Sequence, residues 1–238
     1  WVGTGEGNPR NSHNSGKGIY KSLDAGKTWK YIGLEATKTI HRIVINPLNS
    51  NQIYVAVMGS VWGPNEDRGV FKSNDGGQTW QKVLYTNSTT GCAELILDIN
   101  NPNKIIANMY DFQRKPYTYR SGGNGGGLYV SNDAGSNWTK LSSKNGLPEG
   151  NLGRIGIAIS SSNPDRIYAL IESKNTAFYR SNDGGTNWFK TSQNPNIGNR
   201  PFYYSEIYVD PKNENRVFSI WSQISKSEDG GKNWEILA

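Results

Sequence analysis

Apolar residues along the chain come in short runs of three to five, often alternating with polar ones, and no segment longer than about ten residues carries a 3.6-residue apolar period. Ile43-Val44-Ile45 is followed after an Asn-Pro turn by Ile53-Tyr54-Val55-Ala56-Val57. The same pairing returns as Leu95-Ile96-Leu97 with Ile105-Ile106-Ala107, as Ile157-Ala158-Ile159 with Ile167-Tyr168-Ala169-Leu170, and as Ile207-Tyr208-Val209 with Val217-Phe218-Ser219-Ile220. Each pair predicts two antiparallel strands joined by an Asn-, Pro- or Ser-rich turn.

After each pair comes an eight-residue pattern, Ser-x-Asp-x-Gly-x-(Thr/Asn)-Trp, which also occurs once ahead of them. The five copies are Ser22–Trp29, Ser73–Trp80, Ser131–Trp138, Ser181–Trp188 and Ser227–Trp234. Their aspartates, Asp24, Asp75, Asp133, Asp183 and Asp229, stand 51, 58, 50 and 46 residues apart. Flanking runs such as Gly69-Val70-Phe71-Lys72 and Gln81-Lys82-Val83-Leu84 make each copy the tight turn of a second hairpin. The aspartate accepts backbone N–H groups, the glycine takes a positive φ, and the tryptophans Trp29, Trp80, Trp138, Trp188 and Trp234 cap the hairpins.

One repeat is therefore four short antiparallel strands, and four-stranded sheets repeating at this interval predict an all-β chain built as a β-propeller. Complete blades are expected near 40–85, 92–142, 153–191 and 205–237, with a partial first blade, Trp1 to Gly33, that lacks its innermost strand. Because the chain opens on Trp1 and ends after an outermost strand, the expectation is a piece of a ring with more than five blades, continuous with further blades or domains.

Composition sharpens the picture. Glycine is in excess at 28 residues of 238, and turns are its natural sink. One cysteine, Cys92, leaves no internal disulfide and no thiolate metal cluster, and two histidines argue against zinc, so no metal and no cofactor are expected. No run approaches a membrane span. The charge of +6 is spread over lysines in every blade without a basic run, so nucleic acid is not an expected partner. Gly-rich stretches at 3–7 and 121–127 open no helix after a strand, which excludes a phosphate loop.

The repeated turn resembles the Asp-box, or bacterial neuraminidase repeat, and the chain is similar along its length to sortilin-like and xyloglucanase-like exported propellers. Phrases such as Trp62-Gly63-Pro64-Asn65-Glu66-Asp67-Arg68 and Gly153-Arg154-Ile155-Gly156 are similar to those of bacterial members. That resemblance implies export to the periplasm, cell surface or medium. It also places the Asp-boxes on the face away from a binding or active site.

The opposite face then carries the loops 6–17, 59–68, 110–126 and 191–204, which hold five of the ten arginines together with many aromatics. Trp62, Arg68, Tyr110, Arg114, Tyr117, Arg120, Arg200 and Tyr203 are the ligand-binding candidates there. Aligning the blades puts Arg42, Glu94, Gly156 and Glu206 at one position at the start of the innermost strand, so Arg42, Glu206 and nearby Arg154 are expected at the channel mouth. Glycosidases need two facing carboxyl groups, and among Glu6, Glu66, Asp67, Asp111 and Glu206 no spacing selects a pair; Asp67 and Glu206 are the two to test. A sialidase's Arg-Ile-Pro phrase is missing. The reading is a non-catalytic recognition or scaffold propeller that binds a protein or glycan, acidic ligands included, through its Arg/aromatic face; the alternative is a glycoside hydrolase.

Overall fold

A computed structural model describes residues 1–198 and 200–238. Among the described residues five antiparallel sheets follow one another along the chain, all but the third built in sequence order from the inside outward. The first has β1 (Val2–Gly3), β2 (Ile19–Lys21) and β3 (Lys30–Tyr31). The second has β4 (Ile40–Asn46), β5 (Asn49–Val57), β6 (Gly69–Ser73) and β7 (Gln81–Leu84). The third has β8 (Thr90–Leu97), β9 (Ile105–Lys115), β10 (Thr118–Ser121), β11 (Gly127–Ser131) and β12 (Thr139–Lys140). The fourth has β13 (Ile155–Ile159), β14 (Ile167–Ile171), β15 (Ala177–Ser181) and β16 (Phe189–Ser192). The fifth has β17 (Glu206–Asp210), β18 (Asn213–Ile220), β19 (Ile224–Ser227) and β20 (Glu235–Ile236).

The innermost strands β4, β8, β13 and β17 lie side by side around an axis, with β1 beside β4, which is the arrangement of propeller blades. The first blade lacks an inner strand, as its sequence predicts, because β1 already pairs with β2. The third departs from the four-strand plan. Its segment 110–126, expected as a long loop, continues β9 outward and returns as β10 through a two-residue turn, with Thr118 opposite Lys115 and Ser121 opposite Phe112.

Each blade is closed by its repeated turn, and the five turns share one hydrogen-bond scheme. The serine hydroxyl donates to the aspartate Oδ1 at 2.7–2.9 Å and accepts the glycine N–H two residues past that aspartate at 2.7–2.9 Å. Oδ1 also accepts the backbone N–H of Thr28, Thr79, Asn137, Asn187 or Asn233 at 2.8–2.9 Å, while Oδ2 takes the side chain of the same residue at 2.5–2.7 Å. Those Thr and Asn hydrogen bonds, with the serine's, hold Asp24 and Asp133 down to about 2 and Asp75 lower still. At Asp229, also about 2, and at Asp183 slight burial pulls the other way and the same bonds overcome it.

The turn tryptophans join blade to blade. Trp138 packs on Val83 and Tyr54 of the second blade, Trp188 on the Ile106/Leu128/Leu141 side of the third, and Trp234 stacks edge-on against Phe178 of the fourth at 4.9 Å. Each returns its indole N–H to its own turn glycine carbonyl, Gly135, Gly185 or Gly231, at 2.9–3.1 Å. Trp80 differs, donating to the Ile32 carbonyl of the first blade at 2.9 Å while the Trp1 ring stands over Gly77. Cations before the turns add struts: Lys21, Lys72 and Arg180 donate to the Gly76, Ala134 and Gly230 carbonyls of the next blade. Trp29, with no preceding blade in this chain to enter, is 47% exposed, whereas Trp188 is 4% exposed.

Two outcomes follow. Trp188→Ala should cost about 3–5 kcal/mol in urea unfolding, and Trp29→Ala should cost less than half as much. The turn aspartates are held below their unfolded value of about 3.9, so their stabilisation is fully present above about pH 4 and is lost as pH falls toward about 2. An acid titration followed by tryptophan fluorescence should place unfolding in that window, and Asp183→Asn should make stability less dependent on pH there.

Candidate functional site

The start of the innermost strands brings charged side chains together at the axis. Arg42 on β4 sends Nε and Nη2 to the Glu94 carboxylate on β8 at 2.7 and 3.1 Å, and Nη2 also reaches Glu206 on β17 at 2.6 Å. The Tyr208 hydroxyl donates to the same Glu206 oxygen at 3.0 Å. Three blades, two of them not neighbours, are thus tied through one guanidinium. Gly156 occupies the equivalent position on β13, where an added Cβ would lie 1.7 Å from the Ser205 carbonyl, so the fourth blade contributes closeness instead of charge.

The two carboxylates are driven in opposite directions. Burial raises Glu94, and Arg42 offsets only part of this. At Glu206 burial also pushes upward, but the Arg42 charge and hydrogen bond outweigh it and hold the group below its ordinary value. His41, Glu94 and Glu206 place ligand-type atoms within 4.8 Å of one another, yet the cation among the two carboxylates is Arg42 itself.

Arg154 lies beside this group and is 1% exposed, so it does not stand at the surface as a ligand contact. Its guanidinium donates to Asn8 Oδ1 at 2.8 Å, to the Tyr203 carbonyl at 3.1 Å and to the Phe202 carbonyl at 3.4 Å, and pairs with His41 Nε2 at 2.9 Å. Burial, then the charges of Arg154 and Arg42, keep His41 well below its ordinary value; the neutral ring accepts the arginine N–H. The Arg154 backbone N–H and the Ser121 hydroxyl both reach Glu172 Oε2, at 2.8 and 2.7 Å.

Above the axis the β9–β10 hairpin leans across the ring. Arg114 binds Asn11 Oδ1 of the first-blade loop at 2.6–2.8 Å and lies over the Tyr119 ring at 5.2 Å. Tyr119 stacks on Tyr203 at 6.2 Å and meets Phe202 at 5.5 Å, and Tyr204 continues the row. The result is a packed aromatic platform of Tyr119, Phe202, Tyr203 and Tyr204, its rings leaning on one another at 52–59° apart from the stacked Tyr119–Tyr203 pair, with an arginine at its edge.

Several expected surface residues are not at the surface. Tyr110 is fully buried on Phe112, its hydroxyl bonded to Tyr119 and to Ser121. Arg68 is buried too and donates to the carbonyls of Met58, Ser60 and Gly63, which folds the 59–68 loop onto itself; burial lowers its pKa to about 10. Both are loop-forming residues, because a buried guanidinium or phenol must find its partners inside the protein. Arg120 is half-committed, paired with Asp111 at 2.8 Å. Trp62 and Arg200 are exposed, Asp67 is partly exposed, and Tyr117 is 82% exposed at the hairpin tip. Asn8, Asn11, His41, Glu172 and Phe202 complete the site, and only the Phe202 aromatic run stands out in the sequence.

Arg42→Met should destabilise the chain by about 3–5 kcal/mol in urea unfolding, because it leaves Glu94 buried and unpaired. Glu94→Gln combined with Arg42→Met should recover part of that loss.

The model of the Sortilin-Vps10 family, described as sortilin, neurotensin receptor 3, matches residues 17–144, more than half of the chain. A xyloglucanase of Hypocrea jecorina is 26% identical over 155 residues, spanning 65% of this chain and 16% of that protein. Among solved structures, the GH74 xyloglucanase of Xanthomonas campestris superposes with a TM-score of 0.69 at 18% identity, over 91% of this chain and 34% of that one. The Niastella koreensis GH74 enzyme gives 0.67 at 23% identity, over 97% and 35%. The protein YCF48, bound to a peptide, gives 0.55 at 17% identity, over 94% and 64%. The chain spans 16% of the Hypocrea xyloglucanase and about a third of the two GH74 enzymes, and the likeness to the solved structures is one of fold, that of a propeller. It belongs to the Sortilin-Vps10 family.

Proposed function

We propose that the chain is the glycan-holding part of an exported, polysaccharide-acting protein of glycoside-hydrolase type, and that its loop face binds a sugar chain. The observation that carries this is the platform of Tyr119, Phe202, Tyr203 and Tyr204 beside Arg114. Flat aromatic faces take the apolar faces of pyranose rings, and an adjacent guanidinium with the Asn11 amide supplies hydrogen bonds to hydroxyls. The xyloglucanase relative supports this glycoside-hydrolase-type reading over the purely non-catalytic recognition module expected first.

Of the two carboxylates proposed for catalysis, Glu206 already holds Arg42 and Tyr208, and Asp67 lies in the β5–β6 loop. The carboxyl group beside Glu206 is Glu94, which shares Arg42 with it, so this pair is engaged in an ion-pair network and binding is the activity we assign to the loop face. Titration calorimetry with xyloglucan oligosaccharides should detect binding. Tyr203→Ala should weaken it about tenfold, equivalent to about 1.4 kcal/mol, with Asp67→Asn unchanged. Equal affinity of Tyr203→Ala and the parent chain would remove the platform assignment.

A further inference from the structure

At two junctions the outermost strand of one blade and the repeated turn of the next line a cleft at the rim of the blades. Between the second and third blades this cleft is lined by Lys72, Gln81, Lys82, Val83, Gly135 and Ser136 and has a volume of about 360 Å³. Between the first and second it is lined by the equivalent stretch, Lys21 and Lys30 to Gly33 on one side and Asp75 to Gln78 on the other, and the volume is about 650 Å³.

Two departures from the repeat accompany the larger volume. At this junction Trp80 turns its N–H away from its own turn to Ile32, and Trp1 fills the place over Gly77. In addition, the second residue after the turn tryptophan is Tyr31 here, where the other blades have Lys82, Lys140, Lys190 and Ile236. Tyr31 is 43% exposed, and its cross-strand partner Tyr20 holds the ring edge-on at 5.5 Å. Two of the charges beside it are engaged, Asp75 by its turn and Lys21 by the Gly76 carbonyl and the Trp1 ring, while Lys30 is exposed. On the opposite wall the Asn51 side-chain amide and the Gln78 Oε1 remain as hydrogen-bonding groups, the Gln78 Nε2 already donating to the Asp75 carbonyl at 3.1 Å.

We infer that this rim cleft is a second saccharide site, on the face opposite the aromatic platform, in which Tyr31 stacks on one sugar ring and the Asn51 and Gln78 amides bind its hydroxyls. A fixed aromatic face opposite neutral amides, with Asp75 and Lys21 internally satisfied and Lys30 exposed at the edge to donate to a hydroxyl, suits an uncharged ring-shaped polyol. The inference rests on the glycan reading only for its class of ligand. A second site would let one sugar chain engage both faces of the ring, or two chains engage one protein, and raise apparent affinity through local concentration.

The probe is cellotetraose, followed by amide chemical shifts of the ¹⁵N-labelled chain. Shifts are expected at the side-chain amides of Asn51 and Gln78 and the backbone amides of Gly76 and Gly77. Their Kd should rise at least about tenfold in Tyr31→Ala, stay within about threefold in Tyr31→Phe, and be unmoved by Tyr203→Ala. No shift at these amides at millimolar cellotetraose, or shifts that survive Tyr31→Ala, would overturn the rim site whether or not the platform binds. Rim shifts lost in Tyr203→Ala would overturn it too. Rim binding that persists while the platform shows none would instead count against the proposed function alone.

Discussion

Everything in this fold depends on a carboxylate that satisfies a turn from inside. In each repeat one aspartate takes up backbone and side-chain donors that would otherwise need water, and a serine fixes the aspartate in turn. The turn is thereby rigid enough to aim a tryptophan into the blade before it, and the aimed tryptophan, with its cationic strut, sets where the next sheet stands. Blade geometry follows from local hydrogen bonding repeated at intervals, with the apolar clusters between sheets filling in behind it.

The axis obeys a different rule. Charges brought inward by the starts of the innermost strands have little access to water, so they must answer one another. Arg42 meets two carboxylates, Arg154 meets neutral acceptors and a neutral histidine, and the carbonyls it holds belong to the segment that carries the aromatic platform. The position of a surface recognition element is in this way determined by buried electrostatics beneath it.

The legible and illegible parts of this chain divide along the same line. Blade number, strand order and the missing inner strand of the first blade could be read because they rest on local pattern: alternation, turn residues and a recurring spacing. Arg42, Glu94 and Glu206 could be aligned because strand register repeats with the blades. The β9–β10 hairpin could not be foreseen, since Pro116 and the glycines after Ser121 resemble any loop, and its pairing depends on Phe112 and Tyr110 finding an apolar bed on Met58, Val61 and Ala93. The inward turn of Arg68 and Arg154 was hidden for a related reason. An arginine in a loop reads as exposed until the carbonyls that surround it, drawn from distant sequence, are in place. Asn8 and Asn11 carry no sequence signal, because an asparagine in a Gly/Asn-rich loop looks like turn chemistry whether or not it reaches across a ring.

A stack of blades in which each touches only its neighbours behaves as a one-dimensional chain, able to lose its end members singly. The bond from Arg42 to Glu206 breaks that description, because it links the second blade to the fifth across the axis, between residues 164 positions apart. Loosening the fifth blade therefore exposes a charge pair rooted in the second and the buried Glu94 beside it. The penalty for partial opening is shared among blades that are far apart in sequence. Cooperativity in this molecule thus comes from contacts across the axis as well as from stacking sheets, and guanidinium groups, Arg42 and Arg154 foremost, make them.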